Sequence, residues 1–241
     1  MNLFAEAFGL LLDGSRWGGA TGYGTRLVEH LGYTALAMGV AALIAIPAGL
    51  YIGHTGRGRT VAVAFSGGLR ALPTLGVLVL LGLLFGIGLT GPILTFSLLG
   101  IPPLLAGVYS GVQAVDRAAI DAARAVGMTE RQILGRVEIP LALPLMISGF
   151  RAAILQVIST VTLGAYLGLG GLGRDIFTGL TTSDYPLLLA SALLVTALAL
   201  LVDAFFAIVQ RAVVPRGVVA ASGRTPDSPR TSSRSAVSTT P

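Results

Sequence analysis

Lysine and cysteine are both absent from this 241-residue sequence, and charged residues of any kind are scarce. All 16 basic residues are arginine, which excludes the lysine of a phosphate-binding Walker loop and the lysine of a Schiff base. The lack of cysteine excludes disulfides and thiolate metal sites, and two separated histidines do not predict a metal cluster. These absences leave few side chains from which a catalytic site could be built, so we predict no catalytic residues, no metal and no cofactor.

Charged residues make up only 11% of the chain, whereas hydrophobic residues make up 54%. Average soluble domains carry roughly 25% charged residues, so this chain has too few ionic side chains to cover a globule in water. The mean hydropathy of +0.83 agrees and predicts a lipid membrane as the solvent. The net charge of +5 does not predict binding to nucleic acid, because the arginines are scattered or lie in a terminal tail.

The sequence has instead a series of long apolar runs. A helix needs about 20 apolar residues to cross the hydrocarbon. The run from Ala71 to Val115 contains no charged residue, which is enough for two crossings, and glycines with Pro92 interrupt it near its middle. We therefore predict an all-α integral membrane protein whose five spans are 31–53, 70–88, 92–112, 144–164 and 185–210.

The segments outside the spans divide the chain into three parts. Residues 1–25 form an extracytoplasmic or interfacial segment, in which the apolar face of Asn2–Leu12 predicts a helix lying in the membrane surface. Residues 26–213 form the transmembrane domain. Residues 214–241 are rich in Pro, Ser, Thr, Gly and Arg and are predicted to be a disordered tail.

The placement of arginine predicts the orientation, because an odd number of spans puts the two termini on opposite sides. Eleven arginines lie in the turn 54–60, the loop 116–140 and the C-terminal tail. The opposite side has three, which are Arg16, Arg26 and Arg174. Positively charged loops stay in the cytoplasm, so we expect the N-terminus outside and the C-terminus inside.

The loop 116–140 reads DRAAIDAARAVGMTERQILGRVEIP and is rich in charge between two apolar spans. Its alanine-rich first part, with charges spaced for one helix, predicts a helix over 116–126. Gly127 is expected to end that helix, and Thr129 with Gln132 matches a capping box that starts a second one. We expect Pro140 to end the second helix and Pro144 to open the fourth span.

This loop resembles the EAA loop of bacterial ABC importer permeases, whose pattern is Glu-Ala-Ala, three residues, Gly, nine residues, then Ile-x-Leu-Pro. The matching residues occur at the same spacing and are Asp121, Ala122, Ala123, Gly127, Val137, Ile139 and Pro140. The departures are conservative: Asp replaces Glu, Val replaces Ile, and Ile replaces Leu. In that family the short helix docks into a cleft on the ATPase subunit, so the resemblance implies the same coupling role for these residues.

Three further stretches, Arg70–Leu75, Ile101–Pro103 and Tyr166–Gly173, resemble permeases for glycine betaine, choline and related osmoprotectants. The similarity covers roughly residues 26–215. It implies a five-span type I importer fold that carries glycine betaine, choline, carnitine or proline betaine. Methionine, a sulfonate or an ergothioneine-like compound stays open as an alternative cargo of the same fold. An ion-coupled secondary transporter is a further alternative, although the spans offer few ionisable residues near the midplane.

The resemblance also implies the partners and the location. A dimer of ATP-binding subunits would hydrolyse ATP, so this chain itself would not be an enzyme. An extracytoplasmic solute-binding protein would deliver the solute, and a second copy of the chain or a related permease would complete the pathway. The complex would be a multi-pass assembly in the bacterial cytoplasmic membrane.

Other signals concern single residues. We expect Arg151 and Asp203, which lie inside the fourth and fifth spans, to form a structural ion pair, because an unpaired charge at that depth is costly. Arg70 is expected to reach the cytoplasmic interface. The prolines inside the spans either line the translocation path or kink the bundle. The G-x-G-x-x-G pattern over 168–173 lacks a preceding strand, so we interpret it as a tight external turn facing the binding protein.

Overall fold

A computed structural model of the protein describes residues 2–213, and the predicted tail, 214–241, lies outside this part. The regular structure of the described residues is helical, in keeping with the predicted fold class. The helices are α1 (Leu3–Leu12), α2 (Tyr23–Thr55), α3 (Arg59–Ala71), α4 (Thr74–Phe85), α5 (Thr90–Gln113), α6 (Arg117–Ala125), α7 (Glu130–Ile133), α8 (Ile139–Val161), α9 (Leu172–Thr182) and α10 (Tyr185–Val213).

Within residues 2–213, four stretches of helix are long and apolar enough to cross a membrane. They are α2, α5, the continuous run Glu130–Leu167 that includes α8, and α10. The predicted spans 31–53, 92–112, 144–164 and 185–210 lie within these four. Lipid cannot hydrogen-bond to the backbone, so long uninterrupted helices are the expected outcome for such apolar runs.

The second predicted span, 70–88, is not one straight helix. It covers α4 but only the last two residues of α3, and these two helices meet at an angle of 89°. Leu72 takes an extended conformation (φ −71°, ψ 134°), because the ring of Pro73 disfavours helical geometry in the residue before it. When this bent pair is counted as one broken span, the described residues hold five apolar spans, and otherwise they hold four.

The core of the bundle is α5, which packs against α2 on one side and α8 on the other. Glycines allow the backbones of α5 and α8 to touch, since a β-carbon added at Gly149 would lie 2.5 Å from the Cα of Gly107. In lipid, close van der Waals contact between small residues replaces the exclusion of water as the force that holds helices together. This glycine pair therefore fixes where α5 and α8 cross.

A π-helical segment, Leu134–Glu138, joins α7 directly to α8. The prediction that Pro140 ends one helix and that Pro144 opens the next is therefore wrong. The backbone N–H of Ile139 donates to the carbonyl of Leu134, five residues earlier, and this wide turn leaves room for the ring of Pro140. The second half of the loop that resembles the EAA loop, from α7 onward, thus continues into the fourth span without a break in the helix.

The N-terminal helix α1 packs against α10. Ala7 is fully buried in this contact, whereas Phe4 and Phe8 are more than half exposed. The sequence predicts that the apolar face of α1 lies in the membrane surface. In the structure, part of this face packs against α10 and the rest is exposed.

Candidate functional site

The segment that resembles the EAA loop starts with α6. Asp116 caps this helix, since its Oδ1 accepts a hydrogen bond of 2.9 Å from the backbone N–H of Ala118. The helix ends in a turn at Gly127, whose φ of +84° lies in the left-handed region that favours glycine. The backbone N–H of Met128 then bonds to the carbonyl of Ala123 at 3.1 Å, which closes the helix end.

The second helix of the segment starts at a capping box. The backbone N–H of Thr129 donates to Gln132 Oε1 at 2.9 Å, and the N–H of Gln132 donates back to Thr129 Oγ1 at 3.4 Å. The sequence predicted this capping box because Thr129 and Gln132 lie three residues apart, the spacing that the motif requires.

The predicted coupling residues of α6 lie on different faces. Ala123 is buried, whereas Ala118, Ala122 and Ala125 are exposed along one side of the helix. The side chain of Asp121 is 73% exposed. The exposed alanines give α6 a smooth surface on which another backbone could approach closely. Further along, Val137 and Ile139 are half-buried and Pro140 is exposed.

An ionic network ties α6 to two spans, and we call it the His54 network; its members are Asp121, Arg124, Glu130, His54 and Glu138. Arg124 lies 3.4 Å from Asp121 on its own helix and binds both carboxylate oxygens of Glu130, at 3.0 and 3.2 Å. Glu130 Oε2 lies 3.4 Å from His54 Nε2, and the other ring nitrogen of His54 lies 2.7 Å from Glu138 Oε2.

The position of the His54 network explains what it can do. His54 is in the last turn of α2, and Glu138, only 3% exposed, is in the π-helical segment that leads into α8. The network therefore connects α6 to both spans through side chains. Sequence reasoning missed the contact of His54 with Glu138, because the two residues are 84 positions apart and no local spacing relates them.

The structure brings Arg151 and Asp203 together, as the sequence suggested. Arg151 Nη2 and Nε lie 2.7 and 3.0 Å from Asp203 Oδ1, which links α8 to α10. Arg151 Nη1 also donates to Gln210 Oε1 at 3.0 Å, and the amide of Gln210 donates to the carbonyl of Pro144. The guanidinium is thus hydrogen-bonded on three nitrogens, so the charge is not left unpaired inside the bundle.

The glycine-rich turn at the other end of the bundle packs on α2. The backbone N–H of Gly171, whose φ is +76°, donates to Glu29 Oε2 at 2.6 Å. Arg26 lies 3.2 Å from Glu29 and 3.8 Å from Asp175 at the start of α9. Burial raises the pKa of the Asp175 carboxyl, and the nearby Arg26 offsets part of this effect. The turn is therefore held to the first span by a small charge cluster.

Arg70, which the sequence predicts to reach the cytoplasmic interface, is exposed at the end of α3. It lines a cavity of about 340 Å³ beside the middle of α5, and we call this space the Arg70 cavity. Its lining residues come from the α3–α4 bend, α5 and α8, and they are Arg70, Leu72, Thr74, Leu99, Pro102, Pro103, Ala152 and Gln156.

Comparison with known proteins agrees with this architecture. The family described as "Binding-protein-dependent transport system inner membrane component" matches residues 45–216. The glycine betaine/carnitine/choline transport system permease protein OpuCB of Bacillus subtilis is 30% identical, over 79% of this chain and 88% of its own. The carnitine transport permease protein OpuCD of Listeria monocytogenes is 33% identical, over 78% and 84%.

Two further comparisons concern a third relative and the fold. The osmoprotectant import permease protein OsmW of Salmonella typhimurium is 31% identical, over 79% of this chain and 91% of its own. A solved inward-facing structure of the MetNI methionine ABC transporter superposes with a TM-score of 0.70 at 22% identity, covering 80% of this chain and 96% of that one. This superposition confirms the predicted importer-permease fold. The chain belongs to the family of binding-protein-dependent transport system inner membrane components.

Proposed function

We propose that this protein is the membrane-spanning subunit of an ABC importer that carries a small osmoprotectant of the glycine betaine, carnitine or choline class into the cell. The observation that carries the proposal is the agreement between a permease fold and relatives at 30–33% identity whose printed names specify these solutes. These relatives match the chain over about four-fifths of its length. The superposed methionine transporter supports the fold alone.

The coupling role falls to α6 in this proposal. The helix stands at the arginine-rich end of the bundle, outside the apolar spans, and presents exposed alanines to the surroundings. Asp121, Ala122, Ala123 and Gly127 would form the docking element for the ATPase subunit. A push on α6 would reach α2 and α8 through the salt bridge between Arg124 and Glu130.

The continuous helix after α7 would carry the same movement into the membrane. Val137, Ile139 and Pro140 lie at the junction between the π-helical segment and α8, where a bend can be absorbed without breaking the helix. Such a junction suits a lever that must transmit force and still change its angle.

The proposed complex has four kinds of component. A separate pair of ATPase subunits supplies the energy, a solute-binding protein supplies the cargo, and a second permease encloses the pathway with this one. The N-terminus lies outside and the arginine-rich end lies in the cytoplasm, which the excess of arginines there supports.

The test is uptake by proteoliposomes that contain the permease co-expressed with its ATPase subunit and its binding protein. ATP in the lumen of the vesicles is expected to drive the accumulation of labelled glycine betaine, carnitine or choline. Labelled methionine should not accumulate. Uptake that persists with an ATPase subunit unable to hydrolyse ATP would contradict the proposal and favour an ion-coupled carrier.

A further inference from the structure

The Arg70 cavity lies near the middle of the membrane. Pro102, on its wall, is 12 residues from the first residue of α5 and 11 residues from the last. At a rise of 1.5 Å per residue it is about 17 Å from either end of the helix. The hydrocarbon core is about 30 Å thick, so the cavity is near the midplane.

An arginine at this depth needs a reason. Among the described residues, Arg70 forms no ion pair, whereas the other arginine inside a span, Arg151, is paired with Asp203. A charged residue at the midplane is costly and occurs there mainly where it faces a water-filled path or a charged ligand. Arg70 is an exposed residue, so its side chain is accessible to a solute that enters the cavity.

The walls beside Arg70 also offer polar backbone groups. Thr74, the first residue of α4, lies in the cavity, and no side chain caps the start of that helix. The free N–H groups there add positive potential to that of the guanidinium, at the break between α3 and α4.

A wall of opposite polarity comes from α5 and α8. Pro103 has no N–H to donate to the carbonyl four residues earlier, which belongs to Leu99 on the cavity wall. Gln156 adds an amide from α8. Carbonyl oxygens carry a partial negative charge, so this wall complements a quaternary ammonium, which has no N–H to donate and is attracted through its charge alone.

We propose that the Arg70 cavity is a transit site for a zwitterionic solute, with the carboxylate on the Arg70 guanidinium and the quaternary ammonium against the Leu99 carbonyl and Gln156. This inference rests on the proposed function and deepens it. It assigns part of the selection of a carboxylate to the permease, in addition to the binding protein.

The experiment measures uptake by proteoliposomes containing the full complex and its binding protein, with labelled glycine betaine, carnitine and choline. Choline has the same cationic head but an alcohol in place of the carboxylate. R70Q is expected to lower the uptake of the two carboxylate solutes about tenfold or more, because a charge-assisted hydrogen-bond pair is lost, and to change choline uptake by less than about twofold.

Two variants complete the design. R70K keeps the positive charge without the planar fork, so its carboxylate uptake should fall between wild type and R70Q. If R70Q does not assemble into the complex, R70K still tests the proposal, because it keeps the positive charge. R57Q removes an arginine from the turn before α3 and should leave the ratio of carboxylate to choline uptake unchanged.

The outcomes separate the two proposals. If wild type imports the carboxylate solutes and R70Q imports them equally well, the transit site is wrong while the importer function stands. An equal loss of betaine and choline, or import of choline alone by wild type, also overturns the transit site. If wild type imports none of the three solutes, the proposed function fails and the transit site fails with it.

Discussion

At the scale of single residues, His54 has the most consequential position in this protein. It is one of only two histidines in the chain, and it lies between two carboxylates at the end of the first span. Its partner Glu138 is almost completely buried. A buried carboxylate that loses its hydrogen-bond partner costs more than the bond itself contributed, because the desolvated group is left unsatisfied.

The substitution His54→Ala is therefore expected to destabilise the permease by about 1–3 kcal/mol. The double variant His54→Ala with Glu138→Gln should recover part of this loss, because a neutral amide is cheaper to bury without a partner than a carboxylate. Thermal unfolding of the purified protein in one detergent would measure both. A double variant less stable than His54→Ala alone would contradict the account.

The same residue scale separates what spacing can reveal from what it cannot. The capping box of Thr129 and Gln132 was predictable because its partners are three residues apart on one turn. The pair of Arg151 and Asp203 was predictable because two charges at similar depth in lipid have few other partners. The contact between His54 and Glu138 had no such signal.

At the scale of elements, the turn at Gly127 holds α6 and α7 in their relative orientation. Its left-handed conformation strains any residue with a β-carbon, although no neighbouring atom would block the side chain itself. Gly127 thus has a backbone conformation that favours glycine, but there is space around it for a larger side chain. A substitution there should change the orientation of α6 and leave the spans intact.

We expect Gly127→Leu to insert into the membrane at a normal level but to retain less of the ATPase subunit on purification, by about fivefold or more, since the strain of about 1–2 kcal/mol shifts the docking helix. Asp121→Lys should act in the same direction by reversing a charge on α6. The readout is the amount of ATPase subunit that co-purifies with equal amounts of permease.

The matched control is Gly135→Ala, which changes an exposed glycine in the helical part of the same segment with no atom within 4 Å. It should co-purify with the ATPase subunit like wild type. Normal ATPase recovery and uptake with Gly127→Leu and Asp121→Lys would remove α6 from the coupling role.

Element boundaries were the least predictable feature. Pro73 and Pro140 both interrupt helical patterns in the sequence, yet the chain turns by 89° at the first and continues as a helix through the second. The difference lies in the turn before each proline. An extended Leu72 precedes Pro73, whereas a wide π-helical turn accommodates Pro140.

At the scale of the whole molecule, the decisive property is the direction in which the chain crosses the membrane. Both the coupling role of α6 and the arginine count require the loop 116–140 to lie in the cytoplasm. The absence of cysteine makes this testable, because a single introduced cysteine is the only reactive thiol.

The expected result is that Ser15→Cys reacts with a membrane-impermeant maleimide in intact cells, whereas Arg131→Cys reacts only after the membrane is opened. Both positions are exposed in the structure and neither lies on the alanine face assigned to docking, so a difference in labelling reports the side of the membrane and not burial. Complementation of uptake by both variants checks that they are functional. Labelling of Arg131→Cys from outside would reverse the predicted topology and contradict the coupling proposal.

The sequence by itself determined that this protein lies in a lipid membrane and which stretches of the chain are apolar enough to cross it. It also determined which loop resembles a docking element. Those properties depend on runs of neighbouring residues, because the bilayer acts on each span along its length. The tertiary structure alone decided that His54 contacts Glu138 and that Arg70 lines a cavity beside the middle of α5. Such contacts depend on how α2, α5 and α8 pack, and packing brings together residues that no sequence spacing relates.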